Sequence, residues 1–142
     1  MISTRGRYAI RVLVDLAERR NGGYVPMKDV AGRQELSLKY MEQILPLLVR
    51  SGLIEGIHGK GGGYRLRREP EDISVWDVLT VTEGGGMAPV ACLAEDAPAC
   101  GRRGECRTIA MWEGYRRLTE DYFRGISLAD LMRTEDGGSY VI

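Results

Sequence analysis

Residues 37–67, SLKYMEQILPLLVRSGLIEGIHGKGGGYRLR, carry two periodicities in sequence. In the first half Leu38, Met41, Leu45 and Leu48 repeat at intervals of 3, 4 and 3, the single apolar stripe of a one-sided helix. Ser37 stands in the N-cap position, and Lys39, Tyr40, Glu42 and Gln43 lie off the stripe at the N-terminal end. Pro46 removes a backbone donor and predicts a kink or local distortion, but the stripe continues through Leu48. Gly52 ends the helix, and Leu53–His58 reads as a strand. Gly59-Lys60-Gly61-Gly62-Gly63 is a loop, and Tyr64-Arg65-Leu66-Arg67 alternates as a returning strand.

Upstream lies a short helix, Met27 to Gln34, with Met27, Val30 and Ala31 inward, followed by a tight turn at Glu35-Leu36. Before it a helix capped by Ser3 or Thr4 runs to about Arg20. It is apolar almost all round (Tyr8, Ala9, Ile10, Val12, Leu13, Val14, Leu16, Ala17) and so is expected to be covered on more than one side. Tyr24-Val25-Pro26 is an extended link. Helix, short helix, tight turn, striped helix and glycine-tipped hairpin is the order of a winged helix-turn-helix, whose second helix enters the major groove.

Downstream, Ser74 caps a helix from Val75 to about Thr82, and Gly84-Gly85-Gly86 opens a loop holding three cysteines with Pro89 and Pro98. Residues 107–124 read as a long helix in which Met111, Tyr115, Leu118 and Tyr122 repeat at 4, 3 and 4, the spacing of a helix–helix seam, widened by Trp112 and Phe123. Ser127 caps a last short helix. The fold class expected is mainly α with a small β wing. The DNA-binding domain would span 1–83, the cysteine-bearing loop 84–106, the dimerisation helix and short C-terminal helix 107–134, and a flexible tail 135–142.

The net charge of zero hides an asymmetry. Residues 1–68 carry 13 Lys+Arg against 6 Asp+Glu, and residues 69–142 carry 7 against 14. A basic half joined to an acidic half points to an anionic partner for the first. No stretch approaches the roughly 20 apolar residues of a membrane span, and the N-terminus has no secretory pattern, so a cytoplasmic location without membrane contact is expected.

The residue types on the striped helix suit base reading. Gln43 can pair with adenine, Glu42 can accept from the cytosine amino group, and Lys39 can reach guanine or phosphate. Ser37 and the free N–H groups at the helix start suit a phosphate. At the wing, His58, Lys60, Arg65, Arg67 and Arg68 lie in or beside the glycine loop, where basic groups favour a narrow minor groove. Arg5 and Arg7 complete the candidate DNA-contacting set. A nucleotide-binding loop is excluded. Lys60 is followed by Gly61 rather than Ser or Thr, and no glycine lies five residues before it.

Cys92, Cys100 and Cys106 are separated by wide gaps. An odd count argues against a disulfide framework, and structural zinc usually uses cysteine pairs two to four residues apart. Three soft thiolates in a Gly/Pro-rich loop can wrap a larger object, an iron–sulfur cluster. Zinc, metal-free thiol sensing and purely structural cysteines remain open on spacing alone. His58, the only histidine, belongs to the wing and is not expected to join them.

The chain resembles the family of iron–sulfur cluster regulators (IscR) and related nitric-oxide-responsive repressors (NsrR). The matches are Thr4-Arg5-Gly6-Arg7-Tyr8-Ala9, Ser37-Leu38-Lys39-Tyr40-Met41-Glu42-Gln43, Gly59-Lys60-Gly61-Gly62-Gly63-Tyr64, the three cysteines and Ala110-Met111-Trp112. The resemblance implies a homodimer on a pseudo-palindromic operator. It also implies major-groove contacts from Tyr40, Glu42 and Gln43, minor-groove contact from His58, and a dimer held by the 107–124 helix. The cofactor implied is an iron–sulfur cluster of the 2Fe-2S or 4Fe-4S type. His58 stands where the cluster-assembly regulators usually have arginine. Ile109 stands where they place a ligating histidine, and Arg7 where the nitric-oxide-responsive members use a carboxylate. The remaining ligand would then come from Glu95, Asp96 or Glu105, a partner side chain, water or a small thiol.

The function expected is that of a DNA-binding transcriptional regulator, a repressor, sensing iron–sulfur status, redox or nitric oxide. The alternatives are a same-fold regulator controlled by thiol oxidation or a partner protein, and an iron–sulfur redox carrier. No catalytic His–carboxylate constellation is present, so no enzyme is expected.

Overall fold

The computed structural model describes residues 1–133; the tail expected at 135–142 lies outside the described residues. The chain forms α1 (Thr4–Glu18), α2 (Met27–Gln34), α3 (Leu38–Arg50), β1 (Ile54–Ile57), β2 (Gly63–Leu66), α4 (Val75–Thr82), α5 (Ile109–Arg124) and α6 (Leu128–Leu131).

α1 runs through the centre. Ala9, Val12, Leu13, Leu16 and Ala17 are buried, and the helix meets α2, β2, α4 and α6. An apolar surface this wide is stable only with cover on several sides. The helix stops at Glu18, short of the expected Arg20. Residues Arg20–Gly22 tighten into a 3-10 turn, and the Arg20 guanidinium donates to the Ala17 carbonyl at 2.9 Å.

One charged side chain among the described residues interrupts the apolar interior. Asp15 is buried and accepts from Arg33 Nε (3.0 Å) and Nη2 (2.7 Å) and from Gln34 Nε2 (3.0 Å). Burial alone would raise the Asp15 pKa. The Arg33 and Gln34 hydrogen bonds and the charges of Arg19 and Arg33 outweigh it and hold the carboxyl below its ordinary value. This ion pair clamps α1 to the last turn of α2, directly before the helix-turn-helix corner.

The corner is made by Glu35, which adopts the left-handed conformation at φ 55°. It lets the Leu36 N–H return to the Ala31 carbonyl at 2.9 Å, closing α2 and burying Leu36. Ser37 then caps α3 by accepting from the Tyr40 N–H at 3.1 Å. On α3 the buried residues are Met41, Ile44, Leu45 and Leu48. Leu38, expected to begin the stripe, is 52% exposed; it lies on the first turn, which projects beyond the core. α3 continues through Pro46. The proline is on the exposed side, so the Glu42 carbonyl left without its helical donor lies on the side open to water, and the buried stripe holds both halves.

β1 and β2 form an antiparallel hairpin with Ile54 opposite Leu66 and Ile57 opposite Gly63. β1 is one residue shorter at each end than the expected span, and β2 lies one residue earlier than expected. Val25 joins as a third strand of one residue, exchanging hydrogen bonds with Tyr64 at 2.8 and 2.9 Å. The loop closes through the Gly62 N–H on the Gly59 carbonyl at 2.9 Å. Gly61 has φ +78° at the position where a type II turn demands it, which leaves Lys60 at the tip.

α4 begins with a capping box of Ser74 and Asp77, and α6 with one of Ser127 and Asp130. Residues 73–75 pair antiparallel with 126–128, through Val75 N–H on Ile126 O (2.8 Å) and Leu128 N–H on Ile73 O (2.9 Å). Val75, Leu79 and Ile126 form a second apolar cluster with Ile2, Ile10, Met87, Phe123 and Leu131. Phe123 packs toward α4 and, with Trp112, also lines a groove beside Tyr115, Leu118 and Tyr122. α5 begins at Ile109, two residues later than expected, and none of its 16 residues is buried.

Candidate DNA interface and thiol site

The first turn of α3 presents Lys39, Glu42 and Gln43, all exposed. The Ser37 hydroxyl serves as the cap of its own helix. Tyr40 is half-buried, its ring edge-on to Tyr8 of α1 at 5.2 Å and 72°. Arg11 and Arg7 in turn stand over Tyr8, at 5.3 and 6.0 Å from its centroid. Two cations are thus held beside the start of α3 by an aromatic pair. Arg11 also donates to Gln34. The sequence reading passed over Arg11; the available signal was its position one helical turn after Arg7.

Arg5, expected at the DNA, is committed elsewhere. Its Nε and Nη2 donate to the Thr82 carbonyl at 3.0 and 2.7 Å, so it closes the C-terminal end of α4. The wing arginines are also engaged. Arg65 pairs with Glu55 at 2.7 Å and lies over Tyr24 at 4.4 Å, Arg67 approaches Glu55 at 3.8 Å, and Arg68 donates to the Asp72 carbonyl. His58 and Lys60 are exposed around the tip.

The three cysteines are free thiols and exposed. Together with Arg103, Ile109 and residues 97–99 they line one cavity of about 230 Å³. Ile109 is on the first turn of α5, so the loop folds back against that helix. Two side chains of α5 hold it there. Glu113 pairs with Arg103 at 2.7 Å, and Arg116 donates to the Leu93 carbonyl at 3.2 Å. Hydrogen bonds from the Thr108 side chain and backbone, with lesser help from Ile109 N–H and the Arg102 charge, hold the Cys106 thiol below its ordinary pKa. Glu95, Asp96 and Glu105 do not line the cavity. Among the described residues no three Cys, His, Asp or Glu side chains converge to hold a single metal ion. The thiols face a shared space without meeting at a point.

On α5, Met111, Tyr115, Leu118 and Tyr122 are 57%, 56%, 74% and 46% exposed, a continuous apolar face at helical spacing. No helix among the described residues is long and apolar enough to cross a membrane.

The helix-turn-helix, the wing and the exposed polar first turn of α3 define a winged helix-turn-helix DNA-binding regulator, not an enzyme. The chain belongs to the Rrf2 family, described as iron-dependent transcriptional regulators, which it matches over residues 2–134. It is 38% identical over 132 residues to the protein rrf2 of Nitratidesulfovibrio vulgaris, covering 93% of this chain and 87% of that one. Among solved structures it is similar to T. potens IscR, with TM-score 0.73 and 34% identity over 92% of this chain and 85% of that one. It is equally similar to CymR, the global cysteine regulator of B. subtilis, with TM-score 0.73 and 33% identity over 92% and 95%.

Proposed function

We propose that the chain is a cytoplasmic homodimeric repressor whose Cys92, Cys100 and Cys106 hold an iron–sulfur cluster, and whose operator affinity follows the state of that site. The observation that carries this reading is the shared cavity of the three thiols beside α5. The donor set fits such a group. Soft thiolates suit iron–sulfur chemistry, and thiolates bound to separate irons need not converge as ligands of one ion must. The likeness to IscR supports the same reading. When bound, the cluster supplies iron open to oxygen or nitric oxide. The protein supplies the three thiolates, the Arg103–Glu113 and Arg116 ties that hold the loop on α5, and an apolar wall at Ile109.

In this reading residues 1–83 bind DNA, 84–106 bind the cluster, and α5 carries the dimer through Met111, Tyr115, Leu118 and Tyr122. Lys39, Tyr40, Glu42 and Gln43 face the major groove with Ser37 at its edge. Arg7 and Arg11 meet phosphates, and His58 and Lys60 meet the minor groove. Arg5 acts structurally. The operator is a pseudo-palindrome, matching the two-fold of the dimer.

Anaerobic reconstitution with iron and sulfide, followed by iron and sulfide analysis, a visible absorption spectrum and an operator shift assay, tests the reading. Visible bands with stoichiometric sulfide, and a shift that differs between loaded and stripped protein, are expected. A second reading, control by thiol oxidation alone, is favoured by the exposure of all three thiols and the lowered pKa of Cys106. Failure to assemble a cluster, with operator affinity that responds to oxidant, would select it.

A further inference from the structure

Four helices among the described residues carry serine N-caps whose hydroxyl takes an N–H three residues on. Two of them close the box locally. Asp77 and Asp130 accept the backbone N–H of Ser74 and Ser127 at 2.9 Å. α1 cannot, because the residue in that place is Gly6. Its carboxylate comes from Glu83, 80 residues away. Glu83 Oε1 accepts the Ser3 N–H at 3.1 Å and the Ser3 hydroxyl at 2.8 Å, while Ser3 Oγ accepts the Gly6 N–H at 3.0 Å. The absent side chain at Gly6 makes the room. A Cβ there would fall inside the contact distance of Glu83 Oε1 and also press on Thr82 and Leu79. Arg5 fastens the same joint from the other side through the Thr82 carbonyl.

The place of Glu83 in the chain gives this joint its consequence. It is the last residue before Gly84, where the cysteine loop begins. Gly85, Gly86 and Met87 follow at φ +72°, +65° and +67°. A left-handed conformation is strained for a non-glycine residue, so Met87 keeps it only while the surroundings hold it. Its side chain packs in the cluster that contains Ile2 and Ile10, on either side of the first turn of α1. The root of the loop is therefore bonded and packed onto the start of α1, the helix that carries Tyr8, Arg7 and Arg11 against α3.

We propose that Glu83 is a positioning residue that passes the state of the cysteine loop to the DNA-reading helices, by completing or releasing the cap of α1. This rests on the reading of 84–106 as the effector loop. A displaced loop draws on Met87 and Glu83; a lost Glu83 contact frees the Ser3 N–H, loosens the first turn of α1, and shifts the Arg7–Tyr8–Tyr40 stack beside the recognition helix. Coupling of this kind is a free energy shared between two sites through one bistable element.

The test uses the full chain with its thiols either free or blocked with iodoacetamide, whose three added groups crowd the 230 Å³ cavity. Amide hydrogen exchange at Gly6 and Arg7 and operator Kd are read in both states. In the parent, blocking is expected to speed exchange at both amides and to change operator Kd by about tenfold. In Glu83→Ala and Ser3→Ala, exchange is expected to be fast in both states and the ratio of Kd values to be about one; Glu83→Gln, which keeps an acceptor oxygen, restores the parental ratio. Ser3→Ala leaves α4 untouched and so stands if Glu83→Ala unfolds. Variants that keep the parental ratio overturn the proposal, as does a parent whose Gly6 and Arg7 exchange ignores blocking. A parent whose α1 exchange responds while operator Kd does not keeps the joint and overturns the effector reading of the loop.

Discussion

Replacing Asp15 by asparagine keeps the size and shape of a buried side chain and removes its charge. In the parent, three hydrogen bonds converge on this carboxylate, two from Arg33 and one from Gln34, at 2.7–3.0 Å. Hydrogen bonds to a charged group contribute about 1.5–3 kcal/mol each. The amide retains one acceptor oxygen and turns an NH2 toward a donor. Arg33 is 33% exposed and regains part of its hydration, so the loss falls below the sum of the bonds. A destabilisation of about 3 kcal/mol is expected, a fall in Tm of about 10 °C for a chain of this size. The effect depends on ionisation. Because the folded pKa of Asp15 lies below its ordinary 3.8, its contribution is complete above that value and is lost as pH falls through the folded pKa. Thermal melts of parent and Asp15→Asn followed by circular dichroism should differ fully at pH 7, begin to converge only as pH falls below 3.8, and meet below the folded pKa. A gap that stays constant into acid would refute the electrostatic origin of the clamp, and a variant as stable as the parent at pH 7 would refute the clamp itself.

DNA binding should divide by role. Gln43→Ala is expected to lose about 1–3 kcal/mol at one operator position and relax sequence choice there, while Lys60→Ala weakens all sequences alike and lowers the salt slope by about one. Equal, sequence-independent losses measured by fluorescence anisotropy would exclude base reading by Gln43. Leu118→Glu places an unpartnered charge in the proposed seam, a penalty of the order of several kcal/mol if buried, and should sediment as a monomer at low micromolar concentration; a persistent dimer would place the interface elsewhere. Ile109→His puts an imidazole on the wall of the thiol cavity and should slow cluster loss in air and alter the visible spectrum, whereas an unchanged decay and spectrum would show that position 109 does not reach the cluster.

The elements that were legible in the sequence are those whose evidence is local. The stripe of α3, the caps at Ser37, Ser74 and Ser127, and the glycine loop with its flanking strands each declare themselves within a dozen residues, and each appears within two residues of its expected place. Where the reading erred, a non-local contact decided. Leu38 has the right spacing for the stripe, but the first turn of α3 projects past the core, so only Met41 onward is covered. Arg5 looked like any other cation in a basic N-terminal half, and nothing near it in sequence announces the Thr82 carbonyl 77 residues on.

The same limit applies to the thiol site, in a more instructive way. Cysteine spacing pointed to one shared group, and the cavity brings Cys92, Cys100 and Cys106 together with Ile109. The carboxylates nearest in sequence, Glu95, Asp96 and Glu105, were the natural candidates for a further ligand, yet none of them lines that cavity. Proximity along a loop says little about direction, because each turn of the loop re-aims its side chains. What holds the loop comes instead from α5, where Glu113 and Arg116 follow Ile109 at helical spacing and tie Arg103 and the Leu93 carbonyl. A helix offers three side chains at fixed separation to a segment with no regular structure of its own. The long helix therefore has two working sides. One is an apolar face left exposed in the single chain, and the other is a polar and apolar mixture that shapes the cysteine loop. A ligand in that loop and a partner on that helix would act on the same rigid element, so any change of one that shifts α5 must be felt by the other.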